Sequence, residues 1–187
     1  MVPRLVEGVL LMMLMEKPIV VIDTETMGLD PAKHEVIEFA GIKIDPVTLE
    51  VIDTLTFKVK PLHIETAQSK ALEVNGYTPE AWAEAIDPLD AAQKIAKFCA
   101  YTVIVGHNVR FDIGFIHALF DSQGVKARID YHVVDTVSLA YTKLAKQGLA
   151  SLSLANVCKF LDIDPEDSVH RAMAGAEKCY EVYKKLA

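Results

Sequence analysis

The sequence predicts an α/β fold, a mixed β-sheet flanked by helices within one domain. Two observations carry that expectation. Three β-rich runs follow one another between residues 18 and 59, and beyond residue 100 short β-rich runs alternate with helical segments. Strands in succession followed by alternation suit a mixed sheet better than an all-parallel one. The length, 187 residues, suits one domain with a real core.

Taken in order, the first strand is the apolar run Ile19-Val20-Val21-Ile22, which follows Pro18 and ends near Asp23. Residues 27–31 contain Gly28 and Asp30-Pro31, which is turn chemistry. Residues 35–44 and 51–59 read as an antiparallel hairpin joined through Asp45-Pro46-Val47-Thr48. The period becomes helical over 65–100, in pieces broken at Asn75-Gly76 and Asp87-Pro88. A short strand over 102–105 ends at Gly106, and an amphipathic helix follows over 111–120. Another strand covers 131–134. Asp135 is placed to cap the helix that runs to Ala145. Ser151 or Ser153 opens a helix to Phe160, and the last helix is expected over 168–186.

Bulk properties narrow the function. The net charge of −7 argues against broad electrostatic wrapping of nucleic acid, but not against a local site where metal ions neutralise phosphate. Cys99, Cys158 and Cys179 are scattered in apolar company without ligand spacing, so they read as reduced core thiols of a cytoplasmic protein. Residues 9–15 are apolar but too short for a membrane span, and no small-residue cleavage site follows. No membrane association is expected. Residues 1–16 read as an N-terminal extension with Met15 as an alternative start, or as a short docking helix, and residues 17–187 as the functional domain.

The chemistry begins at Asp23-Thr24-Glu25. Side chains two apart on a strand share a face, so both carboxylates project together from the strand end. Two acids held that close repel, and a divalent cation between them relieves the repulsion. A second segment, Gly106-His107-Asn108-Val109-Arg110-Phe111-Asp112, follows the second core strand and puts Asp112 on the first turn of a helix. A third, Ser168-Val169-His170-Arg171-Ala172-Met173-Ala174-Gly175, opens the final helix.

Together these segments resemble the DEDDh exonucleases, the proofreading-subunit-like 3′–5′ exonuclease family with an RNase H-like fold, over residues 18–186. The motifs are Asp23-Thr24-Glu25-Thr26-Met27-Gly28-Leu29, then His107-Asn108-Val109-Arg110-Phe111-Asp112, then His170-Arg171-Ala172. The resemblance implies phosphodiester hydrolysis assisted by two Mg²⁺ or Mn²⁺ ions, because the ligands are hard oxygens. It makes Asp23 the bridging ligand, Glu25 a ligand of the ion that prepares water, and Asp112 a support for the second ion. His170 becomes the general base. Thr26, Met27, Gly28 and Leu29 would hold the terminal nucleotide, with Leu29 either against its base or packed in the core. His107 and Asn108 would lie along the strand, although Asn108 serves equally well to tie down its own turn. Asp135 reads as a helix cap and not as a ligand.

One position departs from the family pattern. A fourth acid is expected five residues after His170, and the chain has Gly175 there. The next acid, Glu177, lies about 200° further round a helix and should face away. Asp164 and Asp167 would need their loop to fold back. Gly175 is therefore an inactivating change, a natural departure with the ion held otherwise, or the mark of a pseudo-enzyme. The function expected is 3′–5′ hydrolysis of single-stranded DNA to nucleoside 5′-monophosphates in replication or repair, weakened at Gly175. The alternatives are an RNA-trimming, oligoribonuclease-like enzyme and an inactive protein that binds 3′ ends. A DNA polymerase is the protein partner to consider.

Overall fold

The computed structural model describes residues 16–164 and 169–187. Residues 1–15, Asp167 and Ser168 lie outside them. Five strands form one sheet: β1 (Ile19–Thr26), β2 (Val36–Ile44), β3 (Val51–Lys58), β4 (Val103–Gly106) and β5 (Val133–Asp135). Their order is β3-β2-β1-β4-β5. The β1–β2 and β2–β3 pairs are antiparallel, and β1–β4 and β4–β5 are parallel. The sheet is mixed, as the order of elements predicts.

The described helices are α1 (Ser69–Asn75), α2 (Pro88–Phe98), α3 (Arg110–Ser122), α4 (Thr136–Leu144), α5 (Leu154–Phe160) and α6 (Ala172–Leu186). They cover the two faces of the sheet differently. Val20 and Ile22 of β1 pack in one core with Ala92 and Ile95 of α2 and Ile116 and Phe120 of α3. Ile19 and Val21 pack in another with Ala172, Ala176 and Cys179 of α6. Alternation along a strand accounts for the split. Because both faces are covered, β1 reads as a continuous apolar run. A third core joins α4 and α5 to α6 through Ala140, Leu144, Val157 and Val182.

Some expected boundaries move, each for a tertiary reason. β1 continues to Thr26 because β2 pairs with it through Glu25↔Glu38 and Thr26↔Val36. β5 starts at Val133, where its parallel ladder with β4 begins. Within 65–100, α1 ends at Gly76, whose left-handed φ of 61° lets its N–H close on the carbonyls of Leu72 and Glu73. Residues 77–85 then form turns rather than helix. The last helix begins at Ala172 and not ahead of His170, since Arg171 is extended (φ −135°, ψ 132°). Among the described residues no helix is long and apolar enough to cross a membrane.

The strand order also locates the site. β1 leads toward β2 on one side and lies beside β4 on the other, so the order reverses between β1 and β4. In open α/β sheets, ligands bind outside the carboxyl ends of strands at such a reversal. Asp23 and Glu25 stand at that end of β1, and His107 and Asn108 follow that end of β4.

Candidate active site

Alternation along β1 sends neighbouring residues to opposite layers. Asp23 and Glu25 continue the row of Ile19 and Val21 toward α6, and both are half-buried. Thr24 continues the row of Val20 and Ile22 toward α3. The β1–β4 ladder ends at Val21↔Val105. Beyond it Asp112, from the first turn of α3, takes up the exposed edge. The Thr24 hydroxyl donates to Asp112 Oδ1 at 2.8 Å, and the Thr24 backbone N–H also bonds to this carboxylate. Burial pushes the Asp112 carboxyl up to about 7, against the lowering effect of these bonds.

The two layers meet in an open cleft of about 230 Å³ lined by Asp23, Thr24, Glu25, His107, Asn108, Phe111, Asp112, Leu154, His170 and Gly175. All three motifs therefore reach one place. His170 is exposed on its rim, in the extended segment before α6, and its N–H donates to the Val74 carbonyl at 3.0 Å.

Gly175 lies against Asp23. A Cβ at 175 would stand 2.6 Å from Asp23 Oδ2 and 2.8 Å from its Cγ. The Asp23 carboxylate thus occupies the space through which a fourth acid would enter from α6. Glu177 is exposed, as the helical rotation predicts, and Asp164 is exposed too. Among the described residues no three His, Cys, Asp or Glu side chains converge tightly enough to enclose a cation. The oxygen donors of β1 and α3 suit a hard divalent ion in chemistry and line the same cleft, and α6 adds no donor of its own.

The predicted substrate contacts divide. Leu29 is 75% exposed, which removes the core-packing alternative and leaves its side chain available. Met27 is not: its side chain is fully buried with Ile37 and Trp82. Its N–H donates to Glu35 O, and its carbonyl accepts from Gln68 N–H. Met27 supports the turn instead of touching a ligand. Thr26 is also buried, its hydroxyl donating to the Gly28 carbonyl at 2.7 Å. Gly28 is packed under His34, whose ring lies 2.7 Å from where a Cβ would stand, so no larger residue fits without moving that ring.

His107 lines the cleft, but both ring nitrogens face inward. Nε2 lies 2.8 Å from the Leu152 carbonyl, which can only accept, so Nε2 carries the proton. Burial lowers its pKa, and Nδ1 lies 2.9 Å from the Thr136 hydroxyl, which also reaches the Gly106 carbonyl at 3.2 Å. His107 therefore also braces β4, α4 and the residue 152 loop while it lines the cleft. Asn108 takes a left-handed φ of 62°, and its N–H donates to Asp135 Oδ1 at 3.0 Å. The same oxygen accepts from Val137 N–H at 2.9 Å, so Asp135 is the α4 cap that the sequence predicts. Sequence reasoning missed Thr24, Phe111 and Leu154. For Thr24 a signal existed, as the one polar residue between the two acids.

With the geometry in place, the comparisons agree. The chain matches the exonuclease family RNase_T over residues 20–183 and belongs to it. It is 31% identical over 169 residues to the PolC-type DNA polymerase III of Oceanobacillus iheyensis, covering 88% of this chain and 11% of the polymerase. Its fold matches E. coli exonuclease I in complex with a dT13 oligonucleotide at a TM-score of 0.74 and 25% identity, over 90% of this chain and 40% of that one. The zinc-bound form of the E. coli exonuclease I–ssDNA complex gives a TM-score of 0.76 at 26% identity, over 91% and 40%. The RNase H-like architecture is thereby shown. The chain spans about a tenth of the curated polymerases it matches and less than half of exonuclease I.

Proposed function

We propose that this chain is a 3′–5′ exonuclease domain that trims the 3′ end of single-stranded DNA to nucleoside 5′-monophosphates, with turnover weakened at Gly175. The observation that carries this reading is the convergence of Asp23, Glu25, Asp112 and His170 on one cleft at the strand-order reversal. Exonuclease I, which shares the fold, binds single-stranded oligonucleotides, and the identity to PolC adds a polymerase context. A polymerase is the corresponding partner to test. Buried thiols at Cys99, Cys158 and Cys179 suit a reducing, cytoplasmic setting.

Asp23, Glu25 and Asp112 would hold Mg²⁺ or Mn²⁺, which when bound supplies Lewis acidity to the scissile phosphate and the attacking water. Thr24 holds Asp112 in one orientation, so that carboxylate is preorganised. His170, exposed on the rim, takes the proton from the attacking water. Phe111 and Leu154 give the cleft an apolar lining for base and sugar and Asn108 bonds to the strand, while the exposed Leu29 packs against the terminal base.

A second reading follows from the Asp23–Gly175 contact: a protein that grips 3′ ends and cuts them poorly or not at all. Oligonucleotides of DNA and RNA labelled at either end separate the readings. The exonuclease reading expects 5′-labelled DNA to shorten stepwise with Mg²⁺ or Mn²⁺, and EDTA to stop it. Shortening from the 5′ end, or degradation that survives EDTA, refutes it. Tight binding without cleavage supports the second reading.

A further inference from the structure

We propose that Glu38 and Arg171 form a positioning pair that sets where His170 stands over the cleft. The inference rests on the role given to His170 above, although its first test needs no catalysis. It starts from an anomaly. Glu38 is the only acid in the apolar strand β2, it is 6% exposed, and its Oε2 has no hydrogen-bond partner. A buried carboxylate of that kind costs stability unless something opposite requires it.

Opposite it lies the segment that carries His170. Arg171 Nη1 is 3.7 Å from Glu38 Oε2. The backbone N–H of Ala172, the first residue of α6, bonds to the Glu38 carboxylate. The N-terminus of α6 has no side-chain cap of its own, so an acid from β2 fills that role from across the fold. On its other side Arg171 donates to the Asn75 carbonyl at 2.5 Å and lies 5.4 Å over the Trp82 ring. Asn75 Nδ2 donates in turn to the carbonyl of Thr26 at 3.2 Å.

These links close a circuit. β1 at Thr26 holds Asn75, Asn75 and Glu38 hold Arg171, and β2 carries Glu38 directly opposite Glu25. His170 therefore takes its position from the same strand end that carries the acids, by way of its neighbour in sequence. Without the circuit, among the described residues the His170 N–H bond to Val74 O would be left to tie an exposed residue ahead of the helix. A misplacement of about 1 Å in a reacting group can cost on the order of a hundredfold in rate.

The test uses Glu38→Gln, which keeps shape and removes charge, and Arg171→Ala as an independent second variant. Amide hydrogen exchange is read by NMR in the full chain. The His170 amide should exchange about tenfold faster in each variant, the scale of losing one charge-assisted hydrogen bond, while amides in the middle of α6 keep their protection. In the Gly175→Asp background, kcat on a 5′-labelled oligonucleotide should fall by about ten- to a hundredfold with KM held within about twofold. The double variant should be no worse than the poorer single one. Unchanged His170 exchange overturns the proposal, and so does exchange that rises equally throughout α6, which would make the pair a fold element only. Selective exchange without any nuclease activity upholds the positioning circuit and removes the exonuclease reading instead.

Discussion

On the α3 wall of the cleft, Asp112 is buried and clasped by both the hydroxyl and the backbone N–H of Thr24. On the α6 wall, His170 stands exposed ahead of the helix and Gly175 presents bare backbone to Asp23. One wall holds its carboxylate through two hydrogen bonds, and the other offers a glycine against which a carboxylate packs. The contrast shows that β1 alone does not make this site. It delivers Asp23 and Glu25, and the helix layers decide how those acids are used.

The largest expected effect comes from completing the poorer wall. Gly175→Asp should raise turnover on single-stranded DNA by about a hundredfold, the upper end for losing a supporting group around a metal. Gly175→Ala is the necessary partner experiment. It adds the Cβ that displaces Asp23, 2.6 Å from its Oδ2, and adds no donor. Single-turnover rates on a 5′-labelled oligonucleotide should rise for aspartate and not for alanine. Equal gains would mean that the position of Asp23, and not the absent acid, limits the rate.

The next effect concerns the better wall and is read in stability. The Asp112 carboxyl sits up at about 7 in the fold, against 3.8 when unperturbed. A raised acid contributes stability that is complete below the unfolded value and is lost as pH rises through the folded one. Asp112→Asn does not titrate, so its stability relative to the parent should climb between about pH 4 and pH 7 and then level off. The gain should be a few kcal/mol, at about 1.4 kcal/mol per pH unit. Urea titrations in EDTA across that range measure it. A flat difference would show that Asp112 is already ionised in the fold and that the wall is looser than its burial implies.

How much of this was legible in the sequence depends on the range of the interaction. Alternation in β1, the Asp135 cap and the stop at Gly76 are local, and local pattern finds them. The start of α6 is not. The motif at His170 looks helical in sequence, yet Arg171 is drawn out by Asn75 and Glu38, which lie about a hundred residues or more away. Met27 fails for the same reason. It sits in a turn, where exposure is the ordinary expectation, but Ile37 and Trp82 make a pocket for it. Leu29, two residues on, finds no such pocket. The buried acid at Glu38 left a visible trace, one charge in an apolar strand, whose meaning needed the partner to be placed.

Leu29, in the turn that follows β1, gives the third effect. Because it is 75% exposed, Leu29→Ala should leave the unfolding free energy within about 0.5 kcal/mol. Binding should respond more. Losing the apolar contact with a terminal base should weaken the affinity for a 3′-end oligonucleotide by about tenfold, read by fluorescence anisotropy in EDTA. Unchanged affinity would take Leu29 out of the nucleotide site.

The smallest expected effect is the strictest check on the asymmetry of the walls. If α6 truly adds no donor, the acid that follows Gly175 most closely on it must be idle. Glu177 is exposed, two residues beyond Gly175 and about 200° around the axis. Reaching the cleft would require α6 to rotate, and Ala172, Ala176 and Cys179 oppose that by packing against Ile19 and Val21. Glu177→Gln should therefore leave Mn²⁺ affinity unchanged within about twofold, since surface substitutions away from a site rarely exceed ±0.5 kcal/mol. Calorimetric titration of Mn²⁺ into parent and variant decides the matter. A clear loss of affinity would mean that α6 turns to supply the missing carboxylate, and the unequal walls seen here would be only one of two arrangements.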